Sequence, residues 1–176
     1  DCPCLRSHHL RFVMLKKTII AGGITLLILA NIGEISAPPL PKLLYNPTES
    51  APVGWYKIQA NRPINVGDKI AVYPPDWARK LGDERRYLPQ HYPLIKSVWA
   101  VEGTEICYEN GIVRVPNYPD IAVLVQDSLG RDMPVYEGCY TLLKNEIFLA
   151  SNDLDASWDS RYFGAVGKNN VLGHVD

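Results

Sequence analysis

The alternation of apolar and polar positions divides the chain into two unequal parts. From Thr18 to Gly33 (TIIAGGITLLILANIG) an apolar run carries no charge; Lys16 and Lys17 precede it and Glu34 ends it. Sixteen residues at helical rise span about 24 Å, short of a hydrocarbon core of about 30 Å, so a cleaved signal and a short signal-anchor both remain open. Ala30 and Ala37 each have an isoleucine two residues earlier, where a cleavage site usually has a small side chain, and this favours a retained anchor. Lysines on the N-terminal side place the rest of the chain outside the cytoplasm. Residues 14–37 are read as this transmembrane segment and residues 38–176 as a periplasmic domain. Met14 reads as a natural start, which makes residues 1–13 an upstream extension or a poorly ordered tail.

Beyond the stiff Ala37-Pro-Pro-Leu-Pro41 spacer, the periodicity changes to that of strands. Val53–Ile58, Lys69–Tyr73, Leu94–Val101, Ile112–Val115, Ile121–Gln126, Cys139–Leu143 and Ile147–Ala150 are short runs of β-favouring residues bounded by Gly, Pro, Asn and Asp. Asp76–Leu88 (DWARKLGDERRYL) is the one helical stretch, with Asp76 placed as its N-cap and Trp77, Leu81 and Leu88 on one face. The expected domain is mainly β and antiparallel, with a short helical insertion, preceded by one transmembrane helix. Fourteen prolines and thirteen glycines fit that picture. A formal charge of −1, with 18 basic residues spread along the chain, gives no footprint for nucleic acid.

Candidate chemistry sits in three segments. Ser50 lies in a turn-prone stretch, Asn46-Pro-Thr-Glu-Ser50-Ala-Pro-Val-Gly54, just before a strand, an open perch of the kind a nucleophile needs. Lys96 interrupts the apolar strand Leu94–Val101 and by alternation shares a face with Leu94 and Val98 that is otherwise buried. Such a lysine either snorkels or works. Desolvation disfavours its charged form, and a pKa brought down to about 8 leaves roughly a tenth neutral at pH 7, enough to accept a proton from a serine. The third segment, Ser151 to Gly164, reads by itself as a polar loop leading into a strand. Cys2, Cys4, His8 and His9 suggest a metal site only superficially, because nothing around them fixes four ligands, so no metal is expected. His91 and His174 lie in a loop and near the C-terminal tail, which argues against histidine catalysis.

Together the three segments resemble the signal peptidase I family, most closely its conjugative-transfer branch of TraF-type maturation peptidases. The branch's nucleophile box, Ser-x-Pro-x-Gly-x-Tyr, is matched by Ser50, Pro52, Gly54 and Tyr56. A further stretch typical of the branch is matched by Glu84-Arg85, Tyr87-Leu88-Pro89 and Leu94-Ile95-Lys96. The family's late box is matched by Ser157, Asp159, Ser160, Arg161, Phe163 and Gly164, although its Gly-Asp-Asn opening is here Ser151-Asn152-Asp153.

The resemblance implies a serine endopeptidase without cofactor. Ser50 is its nucleophile and Lys96 its general base. The Ser50 N–H and the Thr48 hydroxyl form the oxyanion hole, Ser157 orients the lysine, and Asp159 pairs with Arg161 on one side of a strand. Cys107 and Cys139 match positions common in the branch, and outside the cytoplasm they are expected to form a disulfide. The implied setting is the outer face of the inner membrane, and the implied substrate is a conjugative prepilin, which some members of the branch also cyclise. A general signal peptidase serving many preproteins is the nearest alternative. A non-enzymatic pilus-assembly protein is the rival from another class, and the complete Ser50, Lys96, Ser157 set argues against it.

Overall fold

The computed structural model describes residues 42–151 and 156–176. The chain divides between Leu40 and Pro41 into two units, and every described residue falls in the second. The expected tail (residues 1–13, with Cys2, Cys4, His8 and His9), the anchor (14–37), Asn152 and Asp153 lie outside the described residues. No helix among the described residues is long and apolar enough to cross a membrane.

The domain is mainly β and wholly antiparallel in its pairings. One sheet of seven strands runs in the order β1 (Leu43–Asn46), β2 (Gly54–Gln59), β11 (Val171–Val175), β3 (Lys69–Val72), β4 (Leu94–Val101), β9 (Glu146–Ala150), β10 (Val166–Gly167). A second sheet of four strands, β7 (Ile121–Ala122), β6 (Ile112–Arg114), β5 (Glu105–Glu109) and β8 (Gly138–Thr141), is inserted between β4 and β9. Two short helices, α1 (Asp76–Glu84) and α2 (Ser160–Phe163), complete the described elements with a 3₁₀ turn at Lys168–Asn170.

Alternation divides the large sheet's faces as a period of two requires. Ala71 and Ile95 join a cluster with Leu44, Tyr56, Ile58, Leu172 and Val175. Ile70, Val72 and Val98 join Ile147, Leu149, Phe163 and Val166 on the other face, with Leu94 packed against them. The inserted sheet closes over a third cluster built on Trp99, Ile106, Tyr108, Val113, Leu142 and Phe148. Each fully buried side chain of this size contributes about 1.5–3 kcal/mol. Gly173 makes the crossing of β11 and β2 possible: a Cβ there would stand 2.5 Å from Gln59 O, and the backbone at φ +154° suits glycine.

Cys107 and Cys139, directly paired across β5 and β8, are joined as a disulfide. Its sulfurs also account for the grouping of Glu105, Cys107 and Cys139, which bonded thiols take out of reach as a metal site.

Several elements differ from the sequence expectation. The run Ile121–Gln126 is a strand only to Ala122, after which the Leu124 N–H bonds the Tyr162 hydroxyl at 3.2 Å and the chain turns to expose Leu124 and Val125. The α1 helix stops at Glu84 because Arg86 takes φ +61°, and Pro75, not Asp76, occupies its N-cap. Asp76 is instead the first helical residue, paired with Arg79 at 2.5 Å. The buried stripe of α1 is Ala78 and Gly82, not Trp77, which stays exposed. Small residues are used there because the indole of Trp158 lies against the helix, 3.4 Å from where a Cβ on Gly82 would be.

Candidate active site

Strand pairing brings the candidate residues together from distant parts of the chain. The β1–β2 hairpin is closed by the pair Asn46 and Gly54, and its loop carries Ser50. Lys96 sits on β4, opposite Ile70 of β3, between Leu94 and Val98 on their face of the sheet. Ser151 follows the end of β9, whose Ala150 pairs with Ser97. Ser157 and Asp159 precede α2.

Asn46 organises the loop that carries Ser50, a role the sequence pattern did not reveal. Buried at the end of β1, its amide donates to the carbonyls of Thr48 (2.8 Å), Ala51 (2.8 Å) and Pro52 (3.2 Å). Its oxygen accepts from the N–H (3.2 Å) and hydroxyl (2.8 Å) of Thr48. The signal available in the sequence was Asn-Pro-Thr, an Asx turn in which asparagine bonds the backbone two residues on. The Tyr56 hydroxyl adds a bond to Pro52 O at 2.7 Å, so that the Tyr of the nucleophile box braces the loop from β2. Ser50 Oγ lies 3.1 Å from Thr48 Oγ1. Because the Thr48 proton is directed to Asn46, Ser50 is the donor in that pair.

Lys96 is only 2% exposed. Its amine donates to Ser157 Oγ at 2.6 Å and to Ser151 Oγ at 3.3 Å. Burial lowers its pKa to about 8; the charge of Asp159 raises it and that of Arg161 lowers it, and burial dominates. No hydrogen bond joins Lys96 Nζ to Ser50 Oγ in this structure. Both side chains line a cleft of about 300 Å³ walled by Leu88, Leu94, Leu124, Trp158 and Tyr162, and both line an adjoining cavity of about 70 Å³ shared with Lys69 and Ser151.

Asp159 and Arg161 pair as expected, but not on a strand. Asp159 is the N-cap of α2 and accepts from the Arg161 N–H at 3.1 Å. The Arg161 guanidinium reaches both oxygens of the same carboxylate at 2.9 Å, and both side chains are buried. Four helical residues between Asp159 and Gly164 are too short a run for periodicity to announce. The second oxygen of Asp159 also accepts from the Ser151 N–H at 3.3 Å. His91 is exposed in its loop, and the imidazole of His174, on β11, meets Asp68 at 2.9 Å; neither lines the cleft.

The segment Arg85–Tyr87 also serves the cleft. The Tyr87 hydroxyl donates to Asp127 at 2.6 Å, beside the Arg131 guanidinium at 2.6 Å and Arg85 at 4.0 Å. Burial works against the charge of Asp127, but these donors and the N–H groups of Leu129 and Arg131 hold its carboxyl well below the usual range. This network ties the 123–133 turn, which lines the cleft through Leu124, Gln126 and Met133, to the end of α1.

A buried lysine held by hydroxyls beside a loop serine, in a mainly β domain, defines a candidate serine-peptidase site. Comparison with known proteins agrees: the model of the signal peptidase family (peptidase S26) matches residues 15–176, and the chain belongs to that family. A plasmid transfer protein TraF of Escherichia coli is 32% identical over 172 residues, covering 92% of this chain and 94% of that protein. A probable conjugal transfer protein TraF of Sinorhizobium fredii is 32% identical over 162 residues, covering 86% of this chain and 84% of its own. Among solved structures, a signal peptidase I from Enterococcus faecalis V583 matches with 17% identity and a TM-score of 0.40, covering 66% of this chain and all of that one.

Proposed function

We propose that this chain is a membrane-anchored serine endopeptidase in which Ser50 is the nucleophile and Lys96 the general base. The observation that carries the reading is a lysine buried in an apolar sheet face, bonded only to hydroxyls among the described residues, and sharing a cleft with a loop serine. A neutral amine has two N–H groups and one lone pair. Ser157 and Ser151 accept the two N–H groups, which leaves the lone pair for the Ser50 proton.

In the first step Ser50 turns from Thr48 towards Lys96. Its proton passes to Nζ as Oγ bonds the scissile carbonyl carbon, and the carbonyl oxygen becomes an oxyanion. The Ser50 N–H and the Thr48 hydroxyl stabilise that charge, the latter by redirecting its proton from Asn46. Collapse breaks the C–N bond, Lys96 returns the proton to the leaving amine, and an ester remains on Ser50. Water then attacks the ester carbon while Lys96 takes its proton, and collapse breaks the ester C–O bond as Lys96 returns that proton to Ser50 Oγ, freeing the acid product and the starting enzyme. An amine attacking in place of water would form a new peptide bond, and an amine on the same chain would close a ring. Asp159 and Arg161 act only by holding the late segment around Ser157.

The relatives named for plasmid and conjugal transfer support a substrate from a conjugative system, which we take to be an exported prepilin losing a signal or terminal segment. The lysine-flanked apolar stretch supports work at the outer face of the inner membrane. The test is processing of a prepilin by the full chain in membranes, with products read by mass spectrometry. Cleavage at one site next to small residues is expected. Cleavage that persists in Ser50→Ala would overturn the reading.

A further inference from the structure

We infer that Ser151 is a positioning residue for this chemistry: its side chain bridges the nucleophile loop to the base and turns the Lys96 amine so that its lone pair faces Ser50. The inference rests on the Ser50 and Lys96 reading above. One residue touches three parts of the site. Its hydroxyl donates to the carbonyl of Ser50 at 3.1 Å and accepts from Lys96 Nζ at 3.3 Å, while its N–H donates to Asp159 at 3.3 Å.

The placement follows from the sheet. Ser97 pairs with Ala150, so the residue after β9 arrives beside Lys96. There Ser151 is 7% exposed and faces the small cavity that also holds Ser50, Lys96 and Lys69. A glycine at this position, as the resemblance to the late box suggests, would leave the nucleophile loop without this side-chain tie to the base. Ser157 alone would then orient the amine, with one N–H free to rotate about the Cε–Nζ bond. Two fixed acceptors define the direction of the lone pair; one does not.

A buried serine at a strand end can also be a merely satisfied polar group, and the two roles separate in the pH profile. A hydroxyl accepting from the ammonium favours the charged form of Lys96. Its removal therefore moves the alkaline rise of kcat/KM to lower pH, while loss of positioning lowers kcat on the plateau above that rise. The other charges around Lys96 are Asp159 and Arg161, with Lys69 across the small cavity and Glu49 and Asp127 along the cleft. All stay unchanged in the comparison.

The experiment uses the full chain in membranes and a prepilin peptide. Ser151→Ala and Ser151→Gly are expected to lower plateau kcat about tenfold with KM unchanged, and to move the midpoint down by about half a pH unit. Ser151→Thr, which keeps the hydroxyl, should restore both. A side-chain NMR titration of Lys96 in the Ser50→Ala background reads the same shift without turnover. Unchanged kcat and midpoint overturn the inference. So does a loss of kcat that tracks a lower melting temperature while the midpoint stays in place. Activity surviving in Ser50→Ala alone would instead remove the dyad on which the inference stands.

Discussion

Asp127 and Lys96 line the same cleft, yet the first is surrounded by opposite charge and the second by hydroxyls. Asp127 accepts from Tyr87, Arg131 and two backbone N–H groups and stays ionised, a fixed post for the turn it belongs to. Lys96 has a carboxylate close enough to feel, that of Asp159, but Arg161 occupies both of its oxygens. Were Asp159 free to bond the amine, the ion pair would hold the proton on Lys96. A group that stays charged is given its counter-ions, and one whose charged form is disfavoured is desolvated while its counter-ion is kept occupied.

The contrast breaks most completely at its centre. Lys96→Met should leave processing below about one per cent of wild type, as should Ser50→Ala, while raising stability near neutral pH. The sign follows from linkage. The folded pKa of about 8 lies below the ordinary value of 10.5, so the unfolded state binds more protons between those limits and stability rises with pH through that window. Below it the penalty is fully present, on the order of 3 kcal/mol, and Met removes it. A Lys96→Met chain that urea unfolds more easily than wild type at pH 7 would contradict the desolvation argument.

Thr48→Val keeps the shape beside Ser50 and removes the hydroxyl. Steady-state kinetics should give a kcat about a hundredfold lower with KM little changed, and Thr48→Ser should retain most activity. Near wild-type kcat in Thr48→Val would leave the oxyanion to backbone donors. Arg161→Met tests the occupied counter-ion directly. It frees Asp159 to face Lys96, so the alkaline rise in kcat/KM, centred near pH 8 in the wild type, should move to higher pH. Loss of the guanidinium from the buried Asp159 carboxylate should also lower stability by about 3–5 kcal/mol, measured by denaturant unfolding. The smallest effect is expected from Asp127→Asn, which loosens the turn but touches no reacting atom: KM should rise roughly threefold with kcat and the pH midpoint unchanged. A moved midpoint there would erase the distinction between the two groups.

How much of this was legible beforehand depended on spacing. Ser50, Lys96 and Ser157 could be placed because their segments match ordered boxes, and the β4 run announced its own burial. Strand β11 escaped, since Gly173 breaks its pattern, Asn169 and Asn170 stand just before it, and its partners β2 and β3 lie a hundred or so residues upstream. Asn46 and Ser151 escaped for another reason. Each acts through hydrogen bonds to carbonyls and an amine that only the folded sheet brings within reach, and as letters they are ordinary turn residues. The pairing of Asp159 with Arg161 was anticipated from the resemblance, but its setting on a helical turn was not, because four residues carry no period.

The position of β11 sets an order of events. It lies between β2, which closes the Ser50 hairpin, and β3, the neighbour of the Lys96 strand, and it follows every other described strand in the chain. As the polypeptide emerges, the two halves of the sheet have no strand between them until Val171–Val175 arrives. Until that strand is in place nothing joins the Ser50 hairpin to the Lys96 strand in one sheet, so the candidate site and the sheet are completed together.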